Sequence, residues 1–412
     1  MTYAKDQRPV EDLSRAPESA TSSKTSRVLG TWAGLESSFW VLEIRENTAL
    51  NQISSHVDRL AENCSDANPF FEPSFLAPAA MHLGKEEIRF MCLWEIIGNH
   101  RELRLFAPVQ LTRTPVRRQK IWRIWSHPYA PVSTPLLDGE ANRTVNALSN
   151  CIEASSGEWA SVILFEALPK SSEFANLLHL EPRLSNRLIR FSVSGRGGIT
   201  GREGVIRAVS NITGKRKQRL RKAHERLEAG GALKFDTCAD ADCVDGELQA
   251  HLLLEDHGWK SRRGTSILKD EAATKFARHA VLQMAHQGNC RIHTLKQNEK
   301  LLASMIMISR HGNYFPWKIA FDENYSGYSV GNLLLSHVNQ QITEDRSFVS
   351  LDSLASSLNE TALRFWPDRI ELCSMVIGLG ENSSKKALQV ASEIEALNDA
   401  KLMLKKFLGR SL

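Results

Sequence analysis

The run Tyr314-Phe315-Pro316-Trp317-Lys318-Ile319-Ala320-Phe321-Asp322, followed by Tyr325-Ser326-Gly327-Tyr328-Ser329-Val330-Gly331-Asn332, holds residue types suited to an anionic ligand. Phe315, Trp317, Ile319 and Phe321 alternate as on a strand, and Lys318, Ala320 and Asp322 take the opposite face. A polar turn then leads into a helix opening at Ser329 or Val330, with Ser329 as its natural N-cap. The first N–H groups of a helix lack intrahelical acceptors. Together with the helix dipole they attract an anion without any lysine. Gly331, in the first turn, lets a ligand approach the backbone closely. The same strand, turn and helix also serve as a plain structural connection, so both readings stand at this point.

The surrounding elements must hold that strand and helix in place. Three strands in close order, Arg291 to Lys296, Leu302 to Ser309 and Tyr314 to Phe321, read as a hairpin meander. A helix over 270–287 precedes them, with Ala273, Phe276, Ala277, Ala280, Val281 and Met284 on one face. Val244 to Trp259 reads as a further helix, and Phe348 to Leu354, Glu360 to Trp366 and Ile370 to Ile377 as strand, helix and strand. Upstream, Phe39 to Ile44, Ile88 to Ile97, Arg104 to Thr112 and Trp159 to Leu168 read as strands. Leu50 to Glu62 and Ala141 to Ala154 read as helices, and Trp122 to Asp138 and Gly195 to Gly201 as loops. The two halves repeat one order of elements. The expected architecture is therefore α/β (α+β), with two lobes of related plan rather than one large sheet, each a mixed, mainly antiparallel sheet flanked by helices. The expected division is a polar tail (1–30), an N-terminal lobe (31–190), a C-terminal lobe (191–380) and a last helix (381–412). Val390, Ile394, Leu397, Leu404 and Leu408 stripe that helix. Packing at home is the simpler expectation for the stripe, and a homodimer the other.

Composition narrows the function class. The 412 residues carry 52 Lys+Arg against 47 Asp+Glu, a net charge of +5, with 42 % hydrophobic residues, as in globular proteins. No apolar stretch reaches the ~20 residues of a membrane span, and the polar N-terminus lacks the apolar core of a secretion signal, so a cytoplasmic protein is expected. The seven cysteines are scattered, without C-x-x-C, and are expected to be reduced thiols; Cys238 and Cys243 are the close pair. The thirteen histidines show no metal-ligand spacing, so no metal is expected. Lys215, Arg216, Lys217, Arg219, Arg221, Lys222 and Arg226 crowd one helix, over Ile212 to Ala229, whose Leu220, Ala223 and Leu227 form an apolar stripe. With no aromatic residue interleaved for base stacking, a solvated basic face is expected rather than a nucleic-acid contact.

Several runs together resemble the GNAT acyltransferase superfamily, most of all its cellulose-biosynthesis type of acetyltransferase, which is distantly similar to Fem-type aminoacyltransferases. Glu255-Asp256-His257-Gly258-Trp259-Lys260-Ser261-Arg262-Arg263-Gly264-Thr265 resembles that type's Glu-x-x-Gly-Trp-Lys-x-Arg-x-Gly-Thr run. Lys318 to Asp322 with Tyr328 to Gly331 resembles its cofactor strand and helix. Asp352-Ser353, Asn359 and Phe365 to Arg369 resemble its ending. Asn68-Pro69-Phe70, Tyr129-Ala130-Pro131 and Thr134-Pro135-Leu136 fit it in the N-terminal half. GNAT enzymes carry a Gln/Arg-x-x-Gly-x-Gly/Ala loop, and here Gly331 alone remains, a departure that leaves the acyl donor open.

The resemblance implies two tandem GNAT-like lobes and acyl transfer from acetyl- or another acyl-coenzyme A to an amine or hydroxyl, in exopolysaccharide or envelope metabolism of a bacterium. The acceptor would be a small molecule or saccharide. Backbone from Ile319, Ala320 and Phe321 would face the thioester carbonyl, and Ser329, Val330, Gly331 and Asn332 the diphosphate. Glu255 and Asp322 are the candidate bases, and Tyr328 the proton donor to the leaving thiolate. Lys260 and Lys318 would hold acidic groups, with Trp259, Asp352 and Trp366 beside the substrate. Each residue also has a structural reading: Glu255 as an ion-pair partner, Asp322 as a strand terminator, Tyr328 as a turn residue, and Trp259 and Trp366 as core. A Fem-like transferase using aminoacyl-tRNA, and a noncatalytic binding protein with degenerate lobes, are the alternatives.

Overall fold

A computed structural model describes residues 26–34, 38–84, 87–355 and 359–407. The N-terminal half comprises β1 (Ser26–Ala33), β2 (Ser38–Glu46), α1 (Leu50–Glu62), α2 (Pro73–Leu83), β3 (Ile88–Ile97), β4 (His100–Arg113), β5 (Lys120–Ile124), β6 (Leu136–Leu137), α3 (Ala141–Glu153), β7 (Val162–Pro169) and α4 (Glu173–Leu180). β8 (Leu188–Thr200) leads on to α5 (Gly201–Ser210), α6 (Gly214–Glu228), β9 (Leu233–Cys238), α7 (Ala241–Asp256), α8 (Trp259–Arg262) and α9 (Glu271–His286). Then come β10 (Cys290–Gln297), β11 (Lys300–Arg310), β12 (Asn313–Phe321), α10 (Val330–Glu344), β13 (Ser350–Asp352), α11 (Glu360–Phe365), β14 (Asp368–Gly378) and α12 (Ser383–Phe407).

The same plan occurs twice. A strand (β2 or β9) is followed by helices, a three-stranded antiparallel meander, a helix, and a strand parallel to the meander's last member. β3-β4-β5 with β7 form it in one half, and β10-β11-β12 with β13 in the other. The result is a mixed α/β fold of two lobes flanked by helices. The lobes are not two sheets, however. Strand order is β1-β2-β3-β4-β5-β7-β14-β8-β13-β12-β11-β10-β9, with β6 beside β4. The last strand, β14, closes the gap by pairing antiparallel with β7 on one side and β8 on the other. Sequence order alone does not disclose this, because β14 satisfies both open edges at once.

One core runs across both halves. Phe75 of α2 meets Phe276 of α9 edge to face at 5.2 Å, and Phe70 meets Phe315 of β12 at 5.5 Å. Burying each such ring contributes about 1.5–3 kcal/mol. A second cluster lies beneath α10, where Val330, Leu334 and Val338 pack with Leu351 and Phe365. α12 covers β7 and β14 with Ala387, Val390, Ala391 and Ile394, while Met403 and Leu404 are exposed and Leu408 lies outside the described residues. No described helix is long and apolar enough to cross a membrane.

Four local readings differ from expectation. Of the polar tail, residues 1–25 lie outside the described residues, and Ser26 to Gly30 run in β1. The glycine-rich stretch 195–200 is strand rather than loop. A Cβ on Gly197 would lie 2.9 Å from the Trp366 carbonyl oxygen and one on Gly198 2.6 Å from that of Leu351, so glycine permits the close approach here. The aromatic loop begins with a strand, because Lys120–Ile124 completes the first meander. Cys238 and Cys243 form a disulfide, the end of β9 and the first turn of α7 bringing their Cα atoms to 6.0 Å. Cys92, Cys151, Cys290 and Cys373 are buried free thiols.

Candidate functional site

β12 is the strand from which the site is built, and Pro316 decides its shape. Proline donates no ladder hydrogen bond. The β11–β12 register slips next to it, pairing Met307 with Pro316 and Ile306 with Lys318, which leaves Trp317 as the extra residue of a bulge. The simple alternation expected for this strand is therefore broken. Phe315 and Trp317 join the core shared with the N-terminal half, whereas Ile319 and Phe321 pack toward α10. On its other side β12 pairs with β13 only at Asn313 and Tyr314, opposite Ser350 and Leu351. Past that point the two strands part, and a crevice of about 620 Å³ opens between them. The equivalent strands of the first lobe stay together for longer. β5 and β7 are paired over three successive residues, and Arg123 bonds Glu166 at 2.5 Å just beyond.

The crevice brings together much of what the sequence singled out. Ile319, Phe321, Ser329, Val330, Gly331, Asn332, Lys260, Lys318 and Trp366 all line it. The N–H of Asp322 donates to Leu302, which fixes the alternation along β12. It follows that the Ala320 N–H enters the ladder opposite Ser304, while Ile319 and Phe321 turn their backbone groups to the open edge. The Ile319 carbonyl there accepts from Lys260 Nζ at 3.0 Å.

The start of α10 faces the same space. Ser329 occupies the N-cap position but does not cap. It sits in the left-handed region, at φ 54°, and its side chain accepts no hydrogen bond from the helix. The Leu333 N–H is satisfied by the Ser329 carbonyl oxygen, leaving the N–H groups of Val330, Gly331 and Asn332 without a side-chain cap. A left-handed residue leading into a helix gathers successive N–H groups into an anion-binding concavity. A Cβ on Gly331 would lie 3.4 Å from the Phe321 ring, an ordinary contact, so it takes a side chain larger than alanine to fill the passage between α10 and β12.

Charge on the α7 side is arranged around Glu255. This carboxylate is buried, with Oε1 accepting from Lys260 Nζ at 2.7 Å and Oε2 from the Ile267 N–H at 2.9 Å. Burial pushes its pKa up, but the Lys260 ammonium and that N–H outweigh burial and hold it below the usual range. Lys318 differs. No hydrogen bond or ion pair to it is seen among the described residues. Its Nζ lies 4.6 Å from the ring centre of Tyr129 and 5.8 Å from that of Trp317. Burial lowers its pKa to about 8, against the opposing pull of Glu255. At a desolvated site the ring faces favour the ammonium by about 2 kcal/mol, in opposition to the larger cost of burial. Tyr129 belongs to the N-terminal half and is itself anchored, its carbonyl oxygen accepting from Trp317 Nε1 at 2.8 Å. Sequence spacing gave no sign of that long-range contact.

The other singled-out residues stand further off or are occupied. Asp322 caps the turn after β12, accepting from the Asn324 N–H at 3.0 Å and pairing with Lys300 at 2.9 Å. Tyr328 packs beneath the Arg226 guanidinium, 5.2 Å from its ring centre. Asp352 is held by Arg196 in a two-pronged pair at 2.5 Å. Trp366 is fixed by its indole N–H, which donates to Asn339 Oδ1 at 2.9 Å. Trp259 opens α8, and its side chain lies outside the described ones.

Residues 214–357, which run from α6 past β13, match the family model described as Acetyltransferase (GNAT) domain. Among solved structures, the chain is similar to the C-terminal domain of a protein named as a lysylphosphatidylglycerol synthetase from Agrobacterium fabrum. Identity is 13 %, the match covers 86 % of this chain and 96 % of that one, and the TM-score is 0.50. It is also similar to FemX, at 8 % identity over 80 % of this chain and 96 % of that one, with a TM-score of 0.51. These likenesses are of fold. No curated protein matches the chain. The crevice thus opens in a region with the sequence character of a GNAT acetyltransferase domain, carried on a two-lobed fold shared with FemX.

Proposed function

We propose that this chain transfers an acyl group from an acyl-coenzyme A thioester to an amine or hydroxyl acceptor. The observation that carries the reading is the parting of β12 from β13 beside the uncapped start of α10. The first-turn N–H groups of Val330, Gly331 and Asn332 are suited to a diphosphate. The open edge of β12 runs from there toward Lys318, and the Ile319 or Phe321 N–H is available to a thioester oxygen as negative charge develops on it. Holding both reactants in one crevice supplies much of the rate by positioning. Lys260 and Lys318 are the ionisable side chains among the described residues lining the crevice, and no carboxylate joins them. We read a lining without a carboxylate as unsuited to a polycation. A small molecule or saccharide is in keeping with the resemblance to the cellulose-biosynthesis type.

Coenzyme A at 100 times its dissociation constant is expected to stabilise the chain by about 2.7 kcal/mol. Gly331→Trp places a ring between α10 and Phe321. It is expected to weaken coenzyme A binding at least tenfold in calorimetry while leaving the melting temperature without ligand nearly unchanged. Equal affinity in the variant and the parent removes the diphosphate from this site. Stabilisation by tRNA and not by coenzyme A points instead to an aminoacyl donor.

A further inference from the structure

We propose that Lys318 is the group that takes the proton from the acceptor, and that Tyr129, reaching over from the N-terminal half, is the positioning residue that keeps its amine away from water. The inference rests on the acyl-transfer reading and assigns a role which that reading leaves open. Acyl transfer needs a proton acceptor within reach of the attacking atom. Among the described residues lining the crevice there is no Asp, Glu or His. Glu255, behind them, has both oxygens engaged by Lys260 and the Ile267 N–H. Asp322 is bonded to Lys300 and Asn324. Of the two lysines, Lys260 is committed to Glu255 and the Ile319 carbonyl. Lys318 remains, with its amine against two aromatic rings and no acid of its own.

The groups facing Lys318 set its charge. Glu255 on α7 favours the ammonium, while Lys260 on α8 and burial oppose it. His251, one turn before Glu255, is fully buried and held neutral, with Nδ1 3.0 Å from Ser304 Oγ and Nε2 without a partner among the described residues. The Tyr129 ring centre lies 4.6 Å from the Lys318 Nζ, and the crevice opens beside Lys318. At about 8, roughly a quarter of the amine is neutral at pH 7.5, against about one part in a thousand for an ordinary lysine. In the step itself, the Lys318 Nζ lone pair removes the acceptor's proton as the acceptor's nitrogen or oxygen bonds to the thioester carbon. The carbon–sulfur bond then breaks, the ammonium of Lys318 returns the proton to the leaving thiolate, and the amine is neutral again. No further reactant is needed.

The test uses the full chain. Trace labelling with acetic anhydride across pH, read at Lys318 by mass spectrometry, is expected to show a midpoint near 8. Tyr129→Ala is expected to move that midpoint upward by a unit or more. With acetyl-coenzyme A and water as the acceptor, Lys318→Met is expected to release thiol at least 100-fold more slowly than the parent, with coenzyme A affinity within about threefold. Tyr129→Ala is expected to shift the rising limb of the parent's pH–rate profile to higher pH, which a merely structural wall does not do. A labelling midpoint near 10, or a parent rate no higher than that of Lys318→Met, overturns the assignment while coenzyme A binding stands. Failure of coenzyme A to bind or to protect Lys318 from labelling overturns the acyl-transfer reading itself, and this role with it.

Discussion

Replacing Arg196 with methionine is expected to destabilise the chain by about 3–5 kcal/mol, because it leaves a buried carboxylate without its counter-charge. Arg196 lies in β8 and Asp352 at the end of β13, with side chains 4 % and 8 % exposed. A hydrogen bond from Nη2 to Oδ2 and an ion-pair approach of Nε to Oδ1, each at 2.5 Å, join them, and Nη1 donates to the Pro131 carbonyl oxygen at 3.0 Å. One guanidinium therefore ties β8, β13 and a loop of the first lobe at one point. Asp352 also accepts from the Leu354 N–H at 3.0 Å, and Leu354 forms part of the crevice wall. Loss of the pair is thus expected to loosen that wall and weaken coenzyme A binding beyond the stability effect. Arg196→Lys keeps the charge and loses the fork, so an intermediate loss is expected. The double variant Arg196→Met with Asp352→Leu removes both charges and is expected to recover more than half of the deficit. Urea unfolding of the four proteins measures all of this. A single-variant loss below about 1 kcal/mol, in the range of exposed pairs, means that water reaches Asp352.

The contrast between what periodicity shows and what it hides follows the range of the interactions. α1 has the span expected of Leu50 to Glu62, and the structure buries Leu50, Ile53, Val57 and Leu60 along one face of it. The second meander and α10 were legible too, each being a local pattern bounded by turn residues. The bulge at Trp317 was not, although Pro316 marked it, because alternation assumes an unbroken pleat. The glycine-rich second half of β8, residues 195–200, reads as a loop because its glycines report a close approach by β14, α11 and β13, none of them a near neighbour in sequence. α5 went unread with it. The site divides in the same way. The anion-binding turn is a local motif and was visible, and so was the Glu255 to Lys260 run. The covering of Lys318 by Tyr129 spans the two halves, and no spacing rule reports such a contact.

Contacts between the halves are also where pH should act. Glu72 precedes α2 in the first half and bonds Arg310 of β11 in the second at 2.9 Å, the two side chains being 4 % and 12 % exposed. Glu62 takes another nitrogen of the same guanidinium at 2.9 Å. For Glu72 burial is the largest influence, Arg310 opposes it, and Glu62 and Asp58 add to it, with the outcome a carboxyl pushed up from an ordinary 4.5 to about 7. A raised pKa means that the folded chain binds this proton more tightly than the unfolded chain does. The stability it brings is therefore complete below about 4.5 and is lost as pH rises through 7. The difference amounts to about 3 kcal/mol across that window. Glu72→Gln carries no proton to lose, so between pH 4.5 and 8 the parent is expected to lose about 3 kcal/mol relative to the variant, read by urea unfolding at each end. Groups common to both proteins cancel in the comparison. Had the Arg310 charge won over burial, the sign would reverse and the parent would gain on the variant as pH rises. Parallel or reversed curves would therefore show that water, rather than core, surrounds this junction of the two lobes.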